Sequence, residues 1–342
     1  MAAVKHSLLH AKRVLAITHV NPDGDAVGSL VGFGHIIAAL GAEIRLYCET
    51  PIPSYLGWLN SPAPVTDSLP NPPSGASGGE DGWLPDRIVF LDCAEDKRAG
   101  EAATAYAAAC RAAGSQTVCL DHHVANPDFA DINWVDPSMS ATGVMVALLA
   151  RDLGIPLAGD LGEAVCLAII SDTGSFSFAN TQALALELVA EVVRNGLCMA
   201  DFTGKYENHW TLDRMHLWGA LMKEVKILCD GRVVVSVVTD ALLKQYNASS
   251  VDLEGYASWL RRLANTKVVV LARPSRSGSK LSLRSMGDVD VQKIAAEFGG
   301  GGHKGAAGID MAGEPKEAAS RVLQGVCRAL GEPECPTGPC GL

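Results

Sequence analysis

The sequence predicts an α/β protein: an N-terminal, mostly parallel sheet with helices on both faces, followed by a smaller C-terminal α/β domain. Three observations predict it. The 342 residues, 48% hydrophobic and 19% charged, suffice for two domains with a sizeable core in each. Short β-rich apolar runs alternate with alanine-rich helical segments through the first two-thirds of the chain, the pattern of crossover units that build a parallel sheet. Beyond residue 200 the texture changes to β-branched runs around a few helices.

In order, residues 13–20 read as a strand, 26–40 as a helix ended by Gly41, and 43–49 as a second strand. A third strand at 87–93, a helix at 97–113 ended by Gly114 and a fourth strand at 117–120 come next, then helices at 140–153, 160–171 and 181–195. The Pro/Gly/Ser-rich stretch 61–85 breaks this alternation and reads as an exposed, mobile insertion. The second half offers strands at 232–239, 267–273 and 280–284 around a helix at 251–263, with further helices at 288–297 and 314–330. The expected domains are 1–195 and 216–342, joined by a linker at 196–215. Trp210 and Trp218, spaced with Leu217 and Leu221, read as a helix packing face, and Met199 and Met215 as packing residues.

The composition excludes a disordered or acidic-tail protein. The net charge of -10 argues against a surface that coats long nucleic acid. That charge is unevenly spread: residues 1–200 hold 10 basic and 22 acidic side chains, a net -12, while 201–342 hold 18 and 16, a net +2. Ten cysteines occur singly, several inside apolar runs (Cys93, Cys119, Cys166, Cys229), which is the usage of buried thiols in a reducing compartment. Cys335 and Cys340 lie in a Pro/Gly-rich tail that reads as frayed. The N-terminal stretch lacks the layout of a signal peptide, and the apolar run 143–150 is too short to span a bilayer. The expectation is a soluble, cytoplasmic protein.

Chemistry concentrates at the ends of apolar elements. His19-Val-Asn-Pro-Asp23-Gly-Asp25 follows the first strand, Asp92 ends the third, Asp121-His122-His123 ends the fourth, and Asp172 closes the run Leu-Ala-Ile-Ile-Ser-Asp. Functional groups of parallel sheets gather beyond the C-terminal strand ends, so these side chains share one crevice. Several carboxylates in one crevice repel and do not all stay ionised without a cation. Mixed His and Asp donors suit manganese, cobalt or zinc better than magnesium alone. Six such donors fit two ions about 3.5–4 Å apart with one shared carboxylate. Each aspartate alone also reads as a helix N-cap after a strand; five aspartates with three histidines go beyond that reading.

The segments HVNPDGDAVGS, FLDCAE, LDHH and SDTGSFSF resemble, in order and spacing, the four motifs of the DHH phosphoesterases, and the resemblance covers nearly the whole chain. It implies an active enzyme with two divalent ions, manganese first, magnesium or cobalt as substitutes. One ion would be held by His19, Asp23 and Asp92, the other by Asp25, Asp92, His122 and Asp172, so that Asp92 bridges. Asp121 would orient its neighbouring histidine, and His123 would face the substrate phosphate.

Residues 261–284 hold seven basic side chains and no acidic one, and Phe298-Gly-Gly-Gly-Gly-His303-Lys304-Gly-Ala-Ala-Gly308 follows. A glycine run lets backbone N–H groups approach an anion closely. The spacing of a Walker loop is absent. This half resembles the DHHA1 domain that accompanies DHH domains. By that resemblance Arg284, Ser285, Gly301, Gly302, His303 and Lys304 would bind the substrate's non-scissile phosphate or base, with the active cleft at the domain interface. The compact form most resembles the nano-RNase/pAp phosphatase group. Expected partners are short RNA oligonucleotides, pAp or linear dinucleotides, without long nucleic acid or membrane, and the family habit is a homodimer. A cyclic-dinucleotide or pApA/pGpG phosphodiesterase is the alternative, and a nucleotide-binding module without turnover fits the full ligand set poorly.

Overall fold

A computed structural model describes residues 1–71, 83–207 and 210–332. The chain divides into two compact units, Met1–His209 and Trp210–Leu342. The first runs α1 (Ala2–Leu9), β1 (Arg13–Thr18), α2 (Gly24–Ala39), β2 (Glu43–Tyr47), β3 (Val65–Thr66), β4 (Arg87–Leu91), α3 (Glu101–Ala112), β5 (Gln116–Asp121), β6 (Ile132–Val135), α4 (Thr142–Asp152), α5 (Gly159–Asp172), α6 (Ala183–Arg194) and α7 (Met199–Glu207). Its six strands form a parallel sheet in the order β3-β2-β1-β4-β5-β6. The chain winds outward from β1 through β2, then returns to β4 and winds the other way. The topological switch point therefore lies between β1 and β4, where a crevice opens at the strand C-termini.

Both faces of this sheet are buried. Val14, Ala16, Val89, Leu91, Val118 and Leu120 pack under the layer of α2, α4 and α5, while Leu15, Ile17, Ile88, Phe90 and Cys119 pack against Ala103, Tyr106 and Ala107 of α3. Each large apolar side chain so buried contributes about 1.5–3 kcal/mol. The expected helix at 97–113 begins later, at Glu101, because the Glu49 carboxylate accepts hydrogen bonds from the backbone N–H groups of Ala102 and Ala103 and sets the first turn there. Helix α1 and the edge strands β3 and β6 carry too little apolar pattern to stand out in the sequence; α1 anchors itself through Val4 and Leu8.

Two expectations about irregular segments change. Of the insertion 61–85, residues 72–82 lie outside the described residues, but its ends are tied down: Val65–Thr66 pairs with β2, and Trp83 is 5% exposed beneath the Arg45 guanidinium. The stretch 196–215 is largely helical, since α7 inserts Phe202 into the first core and the next helix begins at Leu212. Cys335 and Cys340 lie outside the described residues.

The second unit comprises α8 (Leu212–Glu224), β7 (Lys226–Leu228), β8 (Val233–Val237), α9 (Asp240–Gln245), α10 (Tyr256–Leu260), β9 (Val268–Ser275), β10 (Gly278–Ser285), α11 (Val291–Ala296), β11 (Gly301–His303), β12 (Ala306–Met311) and α12 (Pro315–Ala329). Its mixed sheet has the order β11-β12-β10-β9-β8-β7, with only β8 and β9 parallel. One face packs on α11 and α12 through Val268, Val270, Leu283 and Ile309. The other, through Val234, Val269 and Leu271, packs on α8 and α10. Trp218 is buried there, donating from Nε1 to the Asp252 carbonyl, with Trp210 edge-on above it. Met215, expected to pack, is 56% exposed on α8. The helix expected at 251–263 is reduced to the five residues of α10, because a Ser249/Asp252 capping box closes a separate turn before it. Among the described residues no helix is long and apolar enough to cross a membrane.

Candidate metal centre

The switch-point crevice gathers the acidic motifs. β1 delivers His19, β4 delivers Asp92 and β5 delivers Asp121, His122 and His123, because these residues lie at or just past the C-terminal ends of three adjacent strands. Asp23 is the N-cap of α2: its Oδ1 accepts from the N–H groups of Asp25 and Ala26. The capping reading and the ligand reading thus coexist in one side chain, which has a second oxygen to offer. Asp172 ends α5. It reaches the crevice because α2 presents Gly24, Gly28 and Gly32 to α5. A Cβ on Gly28 would lie 2.5 Å from the Ala164 carbonyl oxygen and 2.8 Å from the Ala168 nitrogen, so only glycine permits this approach.

The distances describe two donor groups with a common member. His122 Nε2 stands 3.7 Å from Asp25 Oδ2, 3.6 Å from Asp92 Oδ1 and 3.7 Å from Asp172 Oδ2. His19 Nε2 stands 3.6 Å from the other oxygen of Asp92, in a group completed by Asp23. These spacings are too long for hydrogen bonds. They are close to the roughly 3.4 Å that separates ligand atoms arranged tetrahedrally at about 2.1 Å from a divalent ion. Both imidazoles are turned to coordinate such an ion. Nδ1 of His122 donates to the Met139 carbonyl and Nδ1 of His19 to that of Val20, which leaves each Nε2 lone pair facing the carboxylates. His19, Asp25, Asp92 and His122 are all at most 5% exposed.

Residues that carry no obvious ligand chemistry hold this geometry. Asp25 accepts from the N–H groups of Thr142 and Gly143 at the start of α4 and from the Ser29 hydroxyl. The Thr142 hydroxyl donates to Asp92 Oδ1 at 2.9 Å, so one residue ties the two carboxylates together. Asn180 donates to Asp172 Oδ2. Ser29, four residues after Asp25 on one helix, is a partner that sequence spacing can reveal; Thr142 and Asn180 meet their partners only through the fold. Asp92 itself has φ +59, a left-handed conformation that costs a non-glycine residue about 1 kcal/mol or more and marks a constrained site.

The electrostatics show how poorly the donor set holds its charge unaided. Burial, then the neighbouring charges of Asp92, Asp172 and Asp23, push the Asp25 carboxyl well above the usual range. Burial pushes Asp172 up to about 7, the negative charges of Asp23 and Asp92 adding to it while His122 and His123 oppose. Its position at a helix C-terminus is a further unfavourable place for an anion. Burial would raise Asp92 too, but the neighbouring imidazoles of His19, His123 and His122 prevail and hold it below the usual range. Divalent cations would relieve Asp25 and Asp172 and would meet an Asp92 already ionised, so the residues present fit such ions.

A second arrangement lies beside the first. Asp121, fully buried, accepts from His123 Nδ1 at 2.7 Å through Oδ1 and from Asn126 Nδ2 at 2.7 Å through Oδ2. Burial disfavours the His123 charge, but the Asp121 hydrogen bond and the charges of Asp92, Asp121 and Asp172 overcome it and raise the imidazole to about 9. Asn126 also donates to the Cys93 carbonyl and so locks the carboxylate that orients the histidine. Nothing in the sequence singles Asn126 out, five residues away in a loop.

In chelator these shifts predict a stability that falls with pH. The folded chain binds Asp172's proton up to about 7 whereas an unfolded Asp releases it near 3.8, so folding loses ground as pH rises through that window. The stability His123 contributes is complete below 6.5 and is lost as pH rises through about 9. Both slopes have one sign. The melting temperature in EDTA should therefore decline from about pH 5.5 to 8.5, whereas with saturating manganese, whose ligands must be deprotonated, it should hold or rise. Parallel melting curves check this.

The second unit places the other expected residues unevenly. Arg284, His303 and Lys304 are half-buried or exposed at the end of β10 and in the β11–β12 hairpin. Ser285 is 5% exposed, and its hydroxyl faces the carbonyls of Val289 and Lys304, where it fastens β10 to the following loop. Gly301 and Gly302 are both exposed, but Gly302 has φ +141 and would carry a Cβ 2.4 Å from the Ala306 carbonyl, so its glycine is required by the hairpin itself. The glycine run is thus partly a β-edge rather than wholly an anion cradle.

Comparison with known proteins places both units in known families. Residues 13–169 match the DHH family, N-terminal domain, and residues 230–331 match the DHHA1 domain. The chain is 32% identical over 315 residues to the bifunctional oligoribonuclease and PAP phosphatase NrnA of Thermus thermophilus, covering 92% of this chain and 89% of that protein. It is 25% identical to the protein of the same name from Bacillus subtilis, over 86% and 87% of the two chains. An exopolyphosphatase-related protein from Bacteroides fragilis shares the fold, with a TM-score of 0.81, 24% identity and coverage of 96% and 95%. From strand order to motif order to sequence identity, the chain belongs to the DHH family and carries a DHHA1 domain.

Proposed function

We propose that the chain is a metal-dependent phosphoesterase that hydrolyses short oligoribonucleotides to mononucleotides and removes the 3′-phosphate of pAp. The observation that carries this reading is Asp92, whose two oxygens face separate groups, His19 with Asp23 on one side and His122 with Asp25 and Asp172 on the other. Two divalent ions, manganese for preference, would be held by these two groups. When bound, such ions supply Lewis-acid activation of water and neutralise charge on a phosphate. The chain's own part is orientation. Asp121 keeps a proton on His123 Nδ1, and the charged imidazole donates from Nε2 to a phosphate oxygen as negative charge builds there. No protein nucleophile is required. The relatives named as oligoribonuclease and PAP phosphatase support the substrate class, and the net charge of -10 disfavours extended polymer.

The test is a substrate panel with manganese, comprising pAp, pApA, pGpG, cyclic di-AMP and a 24-mer RNA. Hydrolysis of pAp and the linear dinucleotides at least about tenfold faster than the 24-mer is the expected result, since a chain of net charge -10 repels an extended polyanion more than a short one. No product from any of them would remove the enzyme reading. Equal rates on the 24-mer would remove the short-substrate reading, and a preference for cyclic di-AMP would redirect it to cyclic dinucleotides.

A further inference from the structure

On the α3 side of the first unit's sheet the covering layer is incomplete. Among the described residues α3 is the one α-helix that contributes to it, through Ala103, Tyr106 and Ala107. The β5–β6 connection, residues 122–131, is irregular where the β4–β5 crossover uses α3. Between this loop and α3 lies a cavity of about 390 Å³, within the size range of small-molecule sites. Thr104, Ala108 and Arg111 recur at helical spacing along its α3 wall, whose small side chains leave the space open. From Thr104 to Ala112 that wall runs about 12 Å.

The other wall is aromatic, and the two ends are polar. Phe129, half-buried in the loop, meets Phe90 of β4 edge-on at 5.2 Å and 78°, and both rings line the cavity. Asp96 stands at one end, where its carbonyl accepts from the Thr104 hydroxyl. Its carboxylate Oδ1 accepts from the Lys97 N–H, and Oδ2 accepts no hydrogen bond among the described residues. Arg111, two turns further along α3, pairs with Asp131 through one Nη at the opposite end. The two charges cancel, so the ends select by chemistry rather than by attraction to one sign. An acceptor-only carboxylate takes N–H donors, a guanidinium takes an anion, and the rings between take a flat aromatic body. A guanine mononucleotide has these groups in this order: two adjacent N–H donors on the base edge, a purine, then a phosphate. Adenine presents an acceptor where guanine presents its ring N–H.

The loop also connects the cavity to the support of His123. Asp128, next to Phe129, donates its N–H to Asn126 Oδ1 at 2.9 Å, and Asn126 Nδ2 holds the Asp121 carboxylate on which His123 rests. Asn133 Nδ2 fastens the far side of the loop by donating to the carbonyls of Asp128 and Ala130. The conformation that shapes the cavity is thus the one that keeps Asn126 on Asp121, and an occupant favours it.

We propose that this cavity binds guanosine 5′-monophosphate (GMP), with the guanine against Phe129, its N–H edge on Asp96 and its phosphate at Arg111, and that binding holds the loop that supports His123. The site is separate from the crevice of the metal centre, and binding there needs neither metal nor turnover.

The experiment is a calorimetric titration of the full chain in EDTA with GMP, AMP and guanosine, repeated on Asp96→Asn, Ala108→Phe and Ala108→Ser. The parent should bind GMP with a Kd at least about tenfold below those for AMP and guanosine, the worth of one hydrogen bond to a charged group. Asp96→Asn, which keeps an oxygen for the Lys97 N–H, should erase the preference for GMP over AMP. Ala108→Phe fills the cavity from the exposed side of α3 and should weaken GMP at least about tenfold; Ala108→Ser leaves it open and should bind as the parent does. Amide exchange locates the ligand: GMP should slow exchange at 104–112 and 124–131 in the parent and not in Ala108→Phe. No GMP binding, equal affinity for GMP and AMP, or undiminished binding by Ala108→Phe would overturn the site. Slowing confined to the strand-end crevice or to the second unit would overturn it as well. The phosphoesterase reading stands or falls on the substrate panel alone, since no step of this test requires hydrolysis.

Discussion

Asp92→Asn should reduce kcat on pApA by at least about 10³-fold while leaving the fold intact. Asparagine keeps the shape of the side chain and one oxygen able to accept the Thr142 hydroxyl, so the left-handed turn at the end of β4 has the same partners. What it lacks is a second anionic oxygen. The donor group of His19 and Asp23 and the donor group of His122, Asp25 and Asp172 then no longer share a ligand. A thermal readout separates this from simple misfolding. Ligand binding to the folded state alone adds about 2.7 kcal/mol at a hundred times Kd, which for a unit of this size is a rise of roughly 5–10 °C. The parent should show that rise with manganese, and Asp92→Asn should melt within a few degrees of the parent in EDTA but lose most of the manganese effect. Activity within tenfold of the parent, or an undiminished manganese shift, would remove the shared-ligand reading.

What the sequence discloses about this site and what it hides have different physical origins. Strand-end residues are legible because a parallel sheet forces His19, Asp92 and Asp121–His123 to one edge whatever the details of packing. Strand limits shift by one or two residues, which leaves that edge unchanged. Asp172 needs more: it ends a helix, and its arrival depends on how closely α5 can lie on α2. The supporting donors Thr142, Asn126 and Asn180 are hidden for a related reason. They reach their carboxylates across 50, 5 and 8 residues of chain through loops and helix starts that no periodicity encodes. The second unit is harder to read than the first because its strands β7, β11 and β12 are short or glycine-rich. A stretch such as Gly301–Met311 gives the same local signal for an anion loop as for an edge hairpin.

The close approach of α2 and α5 yields a prediction in which the same substitution has opposite effects at two positions of one helix face. Gly28→Ala should lower both stability and activity; Gly32→Ala should leave activity unchanged and hold or raise stability. Replacing a mid-helix glycine by alanine gains about 0.5–1 kcal/mol in chain entropy wherever the methyl group fits. At Gly32 it fits, the nearest atoms being Val146 Cγ1 at 3.4 Å and Ala164 Cβ at 3.5 Å. At Gly28 the methyl would meet the backbone of α5, whose carbonyl and amide are fixed in their own helix and cannot rotate away. Overpacking of this kind costs about 1–3 kcal/mol, and the relief available is a displacement of α5 away from α2. Asp172 sits one turn beyond Ala168 on that helix, so the displacement carries its carboxylate away from His122 Nε2 and Asp25. A misplacement of about 1 Å at a reacting centre is enough for roughly a hundredfold loss. The signature is therefore a fall in kcat and in the manganese-induced melting shift for Gly28→Ala, with both preserved for Gly32→Ala. Equal behaviour of the two variants would show that α5 is not positioned by this contact and that Asp172 reaches the acidic crevice by some other support.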